Sequence, residues 1–131
     1  MKIEIAQREK YSIAVDSDKN RAYYTMTGFW QNPEDFPYYL QDWEKAFVYL
    51  KKGFTVLADL RNSKPPGPKV KALLETAQQK GNEHGMRKNA TLVATDALFT
   101  GQSIDKVANR SGMINRSFKE LSKAEAWLDE D

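Results

Sequence analysis

One short segment limits the folds open to this chain more than any other. Residues 54–60 read FTVLADL, and in a strand the side chains on both faces would be largely apolar. A strand that is apolar on both faces is typical of the centre of a sheet covered on each side. We therefore expect an α/β fold in which helices pack on a sheet.

The segments before it predict strands with one exposed face. Apolar and polar residues alternate over residues 3–5 and 11–15, which is the period of a half-buried strand. Residues 21–30 are rich in aromatic and β-branched side chains, and the polar run 16–20 predicts a turn. Together they indicate an antiparallel hairpin, and Gly28 suggests a bulge in it.

A helical period replaces this alternation after residue 31. Apolar side chains recur at steps of four and three from Phe36 to Leu50, which places them on one face of a helix. Asn32 would cap this helix, or Asp35 if Pro37 interrupts the first turn. Gly53 suits the position just beyond its end.

The rest of the chain alternates between helix and strand. The pattern predicts a helix from about residue 68 to Gly81, strands at 90–95 and 114–119, a helix at 96–111, and a closing helix that opens with the capping-box sequence Ser122–Glu125. The predicted fold is a single α/β domain over residues 1–131. It is a mixed β-sheet in which an N-terminal antiparallel hairpin is followed by βα crossovers.

Composition excludes several kinds of site. The chain has no cysteine and one histidine, His84, so the sequence offers no disulfide, no thiolate metal ligand and no pair of histidines for a metal. It also carries no phosphate-loop or dinucleotide glycine pattern, and we expect no metal and no cofactor. No apolar run approaches the roughly 20 residues that span a bilayer, and no secretory segment is visible, so we expect a cytoplasmic protein.

Positive charge is concentrated in the middle of the chain. The net charge is only +2, but residues 51–88 hold 9 basic and 3 acidic side chains. Such a region attracts anionic ligands or acidic protein surfaces over roughly a Debye length. Solvation of helix faces and loops explains the same lysines, and the small overall excess does not favour nucleic-acid binding.

The order of elements and two short motifs resemble the STAS superfamily, which contains the anti-sigma-factor antagonists. The motifs are Ala58-Asp59-Leu60, which ends the buried strand, and Ala124-Glu125-Ala126-Trp127-Leu128 near the C-terminus. The second motif is similar to the Ala-x-x-Trp-Leu helix of the SpoIIAA-like branch. This resemblance implies a small STAS-like regulatory or protein-interaction module that is not an enzyme.

The resemblance also directs attention to the loop after the buried strand. In the antagonists, a partner kinase phosphorylates a serine there, within an Asp-Ser-Ser/Thr-Gly motif. Residues 59–68 of this chain read DLRNSKPPGP, so the motif is absent and Ser63 is the only hydroxyl. Ser63 is therefore the single candidate for phosphorylation in this loop.

The same loop is predicted to meet a second polar segment. Adjacent parallel strands bring their carboxyl ends to one edge of a sheet, where helix N-termini also point. The candidate binding residues at that edge are Asp59, Arg61, Asn62, Ser63, Lys64, Thr95 and Asp96. Free N–H groups at the helix start would favour an anion. A purely structural interpretation, in which Arg61 pairs with Asp59 or Asp96, is equally open.

Two functions follow from these observations. The first is a module that binds a protein partner through residues 59–68. The second is a carrier or sensor of an anionic or amphipathic small molecule at the same edge, with an apolar pocket between the first helix and the sheet as a variant. The many tyrosines also suggest a homodimer surface. Catalysis would need His84, which is predicted to lie in an exposed polar connector, so we expect no enzyme.

Overall fold

Neighbouring strands of the sheet are also neighbours in the sequence. The computed structural model describes residues 2–94 and 114–130. Within them, one sheet has the order β1-β2-β3-β4-β5-β6. Its strands are β1 (Lys2–Gln7), β2 (Tyr11–Asp16), β3 (Arg21–Gly28), β4 (Thr55–Ser63), β5 (Lys88–Leu92) and β6 (Asn115–Phe118).

The direction of the strands changes in the middle of this sheet. Strands β1, β2 and β3 pair antiparallel, whereas β3, β4, β5 and β6 pair parallel. The described helices are α1 (Tyr39–Val48), α2 (Pro68–His84) and α3 (Leu121–Asp129). The predicted α/β fold, with a mixed sheet that begins in an antiparallel hairpin, is confirmed. None of the described helices is long and apolar enough to cross a bilayer.

Strand β4 is covered on both faces, as its sequence predicts. Val56, Ala58 and Leu60 belong to the main core, which also contains residues of α1 and α2. Leu57 points the other way and joins a second cluster with β5 and α3. Helices α1 and α2 therefore lie on one face of the sheet, and α3 lies on the other.

Helix α1 is shorter than predicted at both ends. Asn32 precedes a short 3-10 helix at Pro33–Asp35, and the α-helix begins only at Tyr39. Pro37 is the reason, because the residue before a proline is pushed out of the helical conformation. The helix ends at Val48, and Gly53, with a φ of 89°, lies in the turn before β4.

Strand β4 is longer than predicted and takes in part of the expected loop. Asn62 and Ser63 pair with Thr27 and Gly28 of β3, after a shift in register that gives β4 one extra residue. The prediction that Arg61, Asn62 and Ser63 lie in a loop is therefore wrong, because the end of β3 was available to pair with them.

Strand β5 ends at Leu92, before Thr95 and Asp96. Those two residues and the helix predicted at 96–111 lie outside the described residues.

His84 is the last residue of α2 rather than part of an exposed connector. Its ring stacks on Phe47 with the ring centroids 5.0 Å apart, and its Nε2 donates to the carbonyl oxygen of Leu50 over 2.9 Å. Gly81 lies inside the helix, and Gly85, whose φ is 103°, follows its last residue. A side chain at Gly85 would also collide with the backbone of Lys52. The glycine that terminates α2 is therefore Gly85 and not Gly81.

A buried arginine fixes α3 to the sheet. Arg21 donates to Glu125 over 2.6 Å, to Asp129 over 2.8 Å and to the hydroxyl of Thr55 over 2.9 Å, and its side chain is 3% exposed. The predicted capping box is wrong, because the helix begins at Leu121 and no side chain caps it. Glu125 instead turns toward the sheet, where Tyr23 also donates to it.

We predict that Arg21→Met weakens the docking of α3. The change keeps the apolar stem but removes one donor from each of two carboxylates and from the Thr55 hydroxyl, so the free energy of unfolding should fall by about 1–3 kcal/mol. Urea denaturation measures this. Lys123→Met is the matched control, because its 3.6 Å pair with Glu120 is exposed and should matter by less than about 0.5 kcal/mol. Equal losses in the two variants would contradict this account.

Candidate functional site

The edge of the sheet at which the sequence predicts a binding site contains an ion pair between two of the candidate residues. Arg61 donates to Asp59 through Nε over 2.9 Å, through Nη2 over 2.8 Å and through its backbone N–H over 3.1 Å. The hydrogen bonds from Arg61 lower the pKa of Asp59, although partial burial opposes this. The structure thus contains the pairing that the structural interpretation of this edge requires, with Asp59 as the partner of Arg61.

The other described candidate residues at this edge differ in their exposure to solvent. Ser63 is 8% exposed, and its hydroxyl donates to the carbonyl oxygen of Lys64 over 3.2 Å. Asn62 and Lys64 are exposed. A kinase would have to draw Ser63 out of the strand to reach it, and phosphorylation of Ser63 stays a prediction.

The start of α2 offers few groups to an anion. Pro68, at its first position, has no N–H group. The N–H groups of Val70 and Lys71 both donate to the carbonyl oxygen of Gly67. Most of the first turn is therefore already satisfied, which weakens the case for an anion site here.

A cavity between the sheet and helices α1 and α2 is the other candidate site. Its volume is about 60 Å³, and Gln78 and Met86 are the lining residues on the α2 side that are only partly buried. The walls come from the sheet, α1, α2 and the turn after α2: Tyr24, Met26, Tyr39, Trp43, Phe47, Phe54, Val56, Ala58, Leu60, Leu74, Ala77, Gln78, Gly81, Met86 and Asn89. This is the place of the apolar pocket that the sequence suggested between the first helix and the sheet.

The α1 wall of this cavity contains a buried donor that has no acceptor. Trp43 is 6% exposed, and its indole Nε1 forms no hydrogen bond with any described residue. The indole lies near enough to Tyr39 to favour the ionised form of that phenol, but the two groups do not meet in hydrogen-bonding geometry. Nearly all buried polar groups in proteins have a partner, so this N–H requires an explanation.

Two tyrosines beside Trp43 add a second donor. Tyr39 donates its hydroxyl proton to the hydroxyl of Tyr24 over 3.1 Å. Burial raises the pKa of Tyr39 to about 12 and raises the pKa of Tyr24 well above its usual value, so both phenols stay protonated. The pair holds two protons and makes one mutual bond, which leaves one proton free to donate.

The opposite wall of the cavity contains a buried amide. Asn89 is 5% exposed, and its Nδ2 donates to Thr91 over 3.1 Å and to Asn115 over 2.5 Å. Both amide protons are therefore engaged with β5 and β6. The described hydrogen bonds of Asn89 therefore use Nδ2 and hold the side chain against its neighbours in the sheet.

A buried carboxylate positions α1 above the cavity. Asp42 is 1% exposed and accepts two bonds of 3.0 Å from Arg8 and one of 2.6 Å from the hydroxyl of Tyr11. Burial alone would raise the pKa of Asp42, but these hydrogen bonds and the charge of Arg8 outweigh it and lower the pKa. The cluster ties the helix that carries Tyr39 and Trp43 to β2 and to the turn after β1.

Sequence reasoning missed the polar groups of the cavity. Trp43 was recognised only as one of the apolar residues on the face of the first helix, and a tryptophan in a core pattern gives no sign of whether its N–H is paired. Asn89 did give a signal, because it is a polar residue beside the buried strand predicted from Ala90. Of the tyrosines, Tyr38 and Tyr49 are about half exposed, and a homodimer through them stays a prediction.

Comparison with known proteins identifies the fold. A crystal structure of an uncharacterised protein from Shewanella loihica PV-4, described as a DUF3478-family protein with a SpoIIAA-like fold, superposes with a TM-score of 0.69. The match covers 94% of this chain and 97% of that protein at 12% sequence identity. No family model and no curated protein matches the sequence. The predicted resemblance to the SpoIIAA-like branch is confirmed as a likeness of fold.

We predict that Asp42→Asn destabilises the protein in a way that depends on pH. Near pH 7 the free energy of unfolding should fall by about 1–3 kcal/mol, because Arg8 loses a charged acceptor. A lowered pKa means that ionised Asp42 contributes stability above its unfolded pKa of about 3.9, and that this contribution is lost as the pH falls through the folded value. The difference in the free energy of unfolding between the wild type and Asp42→Asn should therefore become smaller below about pH 4.

Denaturation curves at a series of pH values measure this difference. Asp35→Asn is the control, because Asp35 is exposed and should change stability by less than about 0.5 kcal/mol at any pH. A gap between wild type and Asp42→Asn that stays constant down to about pH 2 would show that the charge of Asp42 is not what holds α1.

Proposed function

We propose that this protein is a non-enzymatic binding module that holds one small, uncharged and largely apolar molecule between its sheet and helices α1 and α2. It would act as a carrier or a sensor of that molecule. The observation that supports this most is the buried indole N–H of Trp43, which lines an apolar cavity and has no acceptor among the described residues.

Burial of this indole N–H without an acceptor costs free energy. A buried donor without an acceptor costs about 1–3 kcal/mol. A bound molecule that accepts from the indole removes this cost, and its apolar part gains from leaving water. Binding proteins commonly show this combination of an apolar pocket and a few placed polar groups.

Ordered water is the competing occupant. A cavity of about 60 Å³ has room for ordered water, and water would also accept from the indole. A ligand that can enter and leave is favoured because Met86 is partly exposed and a methionine side chain adapts its shape readily.

A second candidate function is a protein-interaction module that uses the far end of β4. Arg61, Asn62 and Lys64 are exposed there, and of these only Arg61 has a described side-chain partner, Asp59. Exposed cations attract an acidic partner surface. The SpoIIAA-like fold is compatible with such a regulatory role. The two functions would be coupled if ligand binding changes the surface at the end of β4 that the partner contacts.

We predict that the protein purified from its own host carries extra mass in native mass spectrometry that denaturation removes. Ala77→Val should abolish that mass, because Ala77 is a buried residue of the cavity wall and added methyl groups occupy the space. Ala72→Val is the control, because Ala72 lies on the same helix but is exposed, so it carries the same penalty for a β-branched residue. An apo mass for the wild type, or extra mass that Ala77→Val retains, would overturn the proposal.

We predict that the combined change Arg61→Ala, Asn62→Ala and Lys64→Ala weakens the second function alone. Affinity for a partner captured by the wild type should fall at least about tenfold, since exposed charges steer and align an acidic surface. Surface plasmon resonance measures the affinity, and Lys123→Ala, on the exposed side of α3, is the control. Unchanged affinity in the triple variant would exclude this edge as the docking surface.

A further inference from the structure

We infer that Met86 is the gate of this cavity and that its side chain limits the size of the molecule that the cavity accepts. This inference rests on the proposed function and adds to it the route by which the ligand enters and leaves. It follows from the exposure of Met86 and from what its side chain contacts at the end of α2.

A route from solvent to the cavity has to pass a lining residue that solvent reaches. Among the described residues that line the cavity, only Gln78 and Met86 are partly exposed, and the others are buried. Gln78 lies inside α2, whereas Met86 lies in the turn that leads from α2 to β5. Met86 also packs against the main core, so its side chain separates the apolar interior from water at this point.

The tip of the Met86 side chain lies in a notch that Gly81 leaves in α2. A Cβ atom on Gly81 would come within 3.1 Å of the ε-methyl carbon of Met86, which is closer than such contacts normally are. Glycine inside a helix is less favourable than alanine, so α2 loses stability at this position. In return the notch gives Met86 room to lie against the helix beside the cavity.

The backbone of Met86 is fixed, whereas its side chain is adaptable. Its N–H group donates to the carbonyl oxygen of Gly81 over 3.0 Å, and the N–H group of Arg87 donates to the carbonyl oxygen of Phe54 over 2.7 Å. A methionine side chain is unbranched and has three rotatable bonds. A change of rotamer can therefore open the cavity without breaking a hydrogen bond of the helix or the sheet.

The way in which α2 ends is the competing explanation of this contact. The bonds from Met86 to Gly81 and from Gly85 to Asn82 form a Schellman motif, in which residues at the positions of Met86 and Gly81 commonly make an apolar contact. That motif needs only an apolar side chain at position 86. It places no condition on how a ligand enters, so the rate of ligand exchange distinguishes the two explanations.

The limit on size follows from the same side chain. The cavity measures about 60 Å³, whereas an apolar cavity of about 150 Å³ holds a benzene ring. The change Met86→Ala removes the last three non-hydrogen atoms of the side chain and leaves a larger space. The variant should therefore admit a ring that the wild type excludes.

Xenon and benzene are the probes, because xenon is a single apolar atom and benzene is too large for the wild-type cavity. Both are uncharged, which suits a cavity whose described lining holds no ionisable acid or base other than tyrosine. In the ¹⁵N-labelled protein, the indole N–H resonance of Trp43 reports occupancy, and its line shape gives the exchange rate. The indole of Trp30 is the reference, because it donates to Thr27 over 3.0 Å and does not line the cavity.

Xenon should shift the Trp43 resonance of the wild type, and benzene should not. In Met86→Ala, benzene should shift it as well, and xenon should exchange at least about tenfold faster because the closing side chain is gone. Met86→Leu keeps the number of non-hydrogen atoms and should exclude benzene as the wild type does.

Two other lining residues supply the matched controls. Gln78→Ala removes the other partly exposed side chain and should leave the exchange rate of xenon unchanged. Met26→Ala removes the same atoms as Met86→Ala, but from β3, where Met26 is 1% exposed, so it enlarges the cavity without opening it. Benzene should bind Met26→Ala and exchange at least about tenfold more slowly than in Met86→Ala. If Met26→Ala does not fold, the comparison of Gln78→Ala with Met86→Ala decides the same question.

The outcomes separate this inference from the function on which it rests. If Met86→Ala exchanges xenon no faster than the wild type or Gln78→Ala, Met86 is not the gate. Benzene that binds the wild type would show that Met86 does not limit the size of the ligand. In both cases the binding function stands. If xenon moves the Trp43 resonance in none of these proteins, the inference is wrong, and if the protein from its host also carries no extra mass, the proposed function is wrong too.

Discussion

Burial of β4 on both faces is the constraint on which the rest of the structure depends. The apolar side chains of this strand alternate between two cores, so helices are needed on both sides of the sheet. Helices α1 and α2 supply one cover and α3 supplies the other. The second cover is smaller, and Arg21 strengthens it with bonds to two carboxylates of α3. The two sides therefore differ in kind, because one is held mainly by aromatic packing and the other partly by ion pairs.

The face of the sheet that α1 and α2 cover also contains the unpaired indole N–H. Tyr11, Tyr24, Tyr39 and Trp43 form a continuous layer of ring contacts beneath α1. Most polar atoms of this layer are paired, and the hydroxyl of Tyr11 reaches Asp42. An unpaired indole in such a layer costs stability, and proteins retain that kind of cost mainly where a function uses it. The same layer thus supports the fold and defines the candidate site.

Much of the fold could be predicted from the sequence, and less of the site. The period of the apolar residues located α1, and the two-sided apolar pattern located β4, because both depend on burial that neighbouring residues reveal. The true end of β4 at Ser63 depends on a partner strand more than thirty residues away, and the contact of Glu125 with Arg21 joins opposite ends of the chain. The cavity depends on how the walls fit together, and only the polar Asn89 beside an apolar run hinted at it.

The order of the sheet has a consequence for how this chain folds during synthesis. Each described strand pairs with the next one along the sequence, so the sheet can grow from its N-terminal hairpin as the ribosome delivers the chain, with little entropy lost in closing long loops. Arg21 is the exception, because its carboxylate partners are made about a hundred residues later. Until then a cation destined for burial must stay hydrated. Docking of α3 would accordingly follow formation of the sheet during synthesis, and a chain interrupted before α3 would leave Arg21 without these carboxylates.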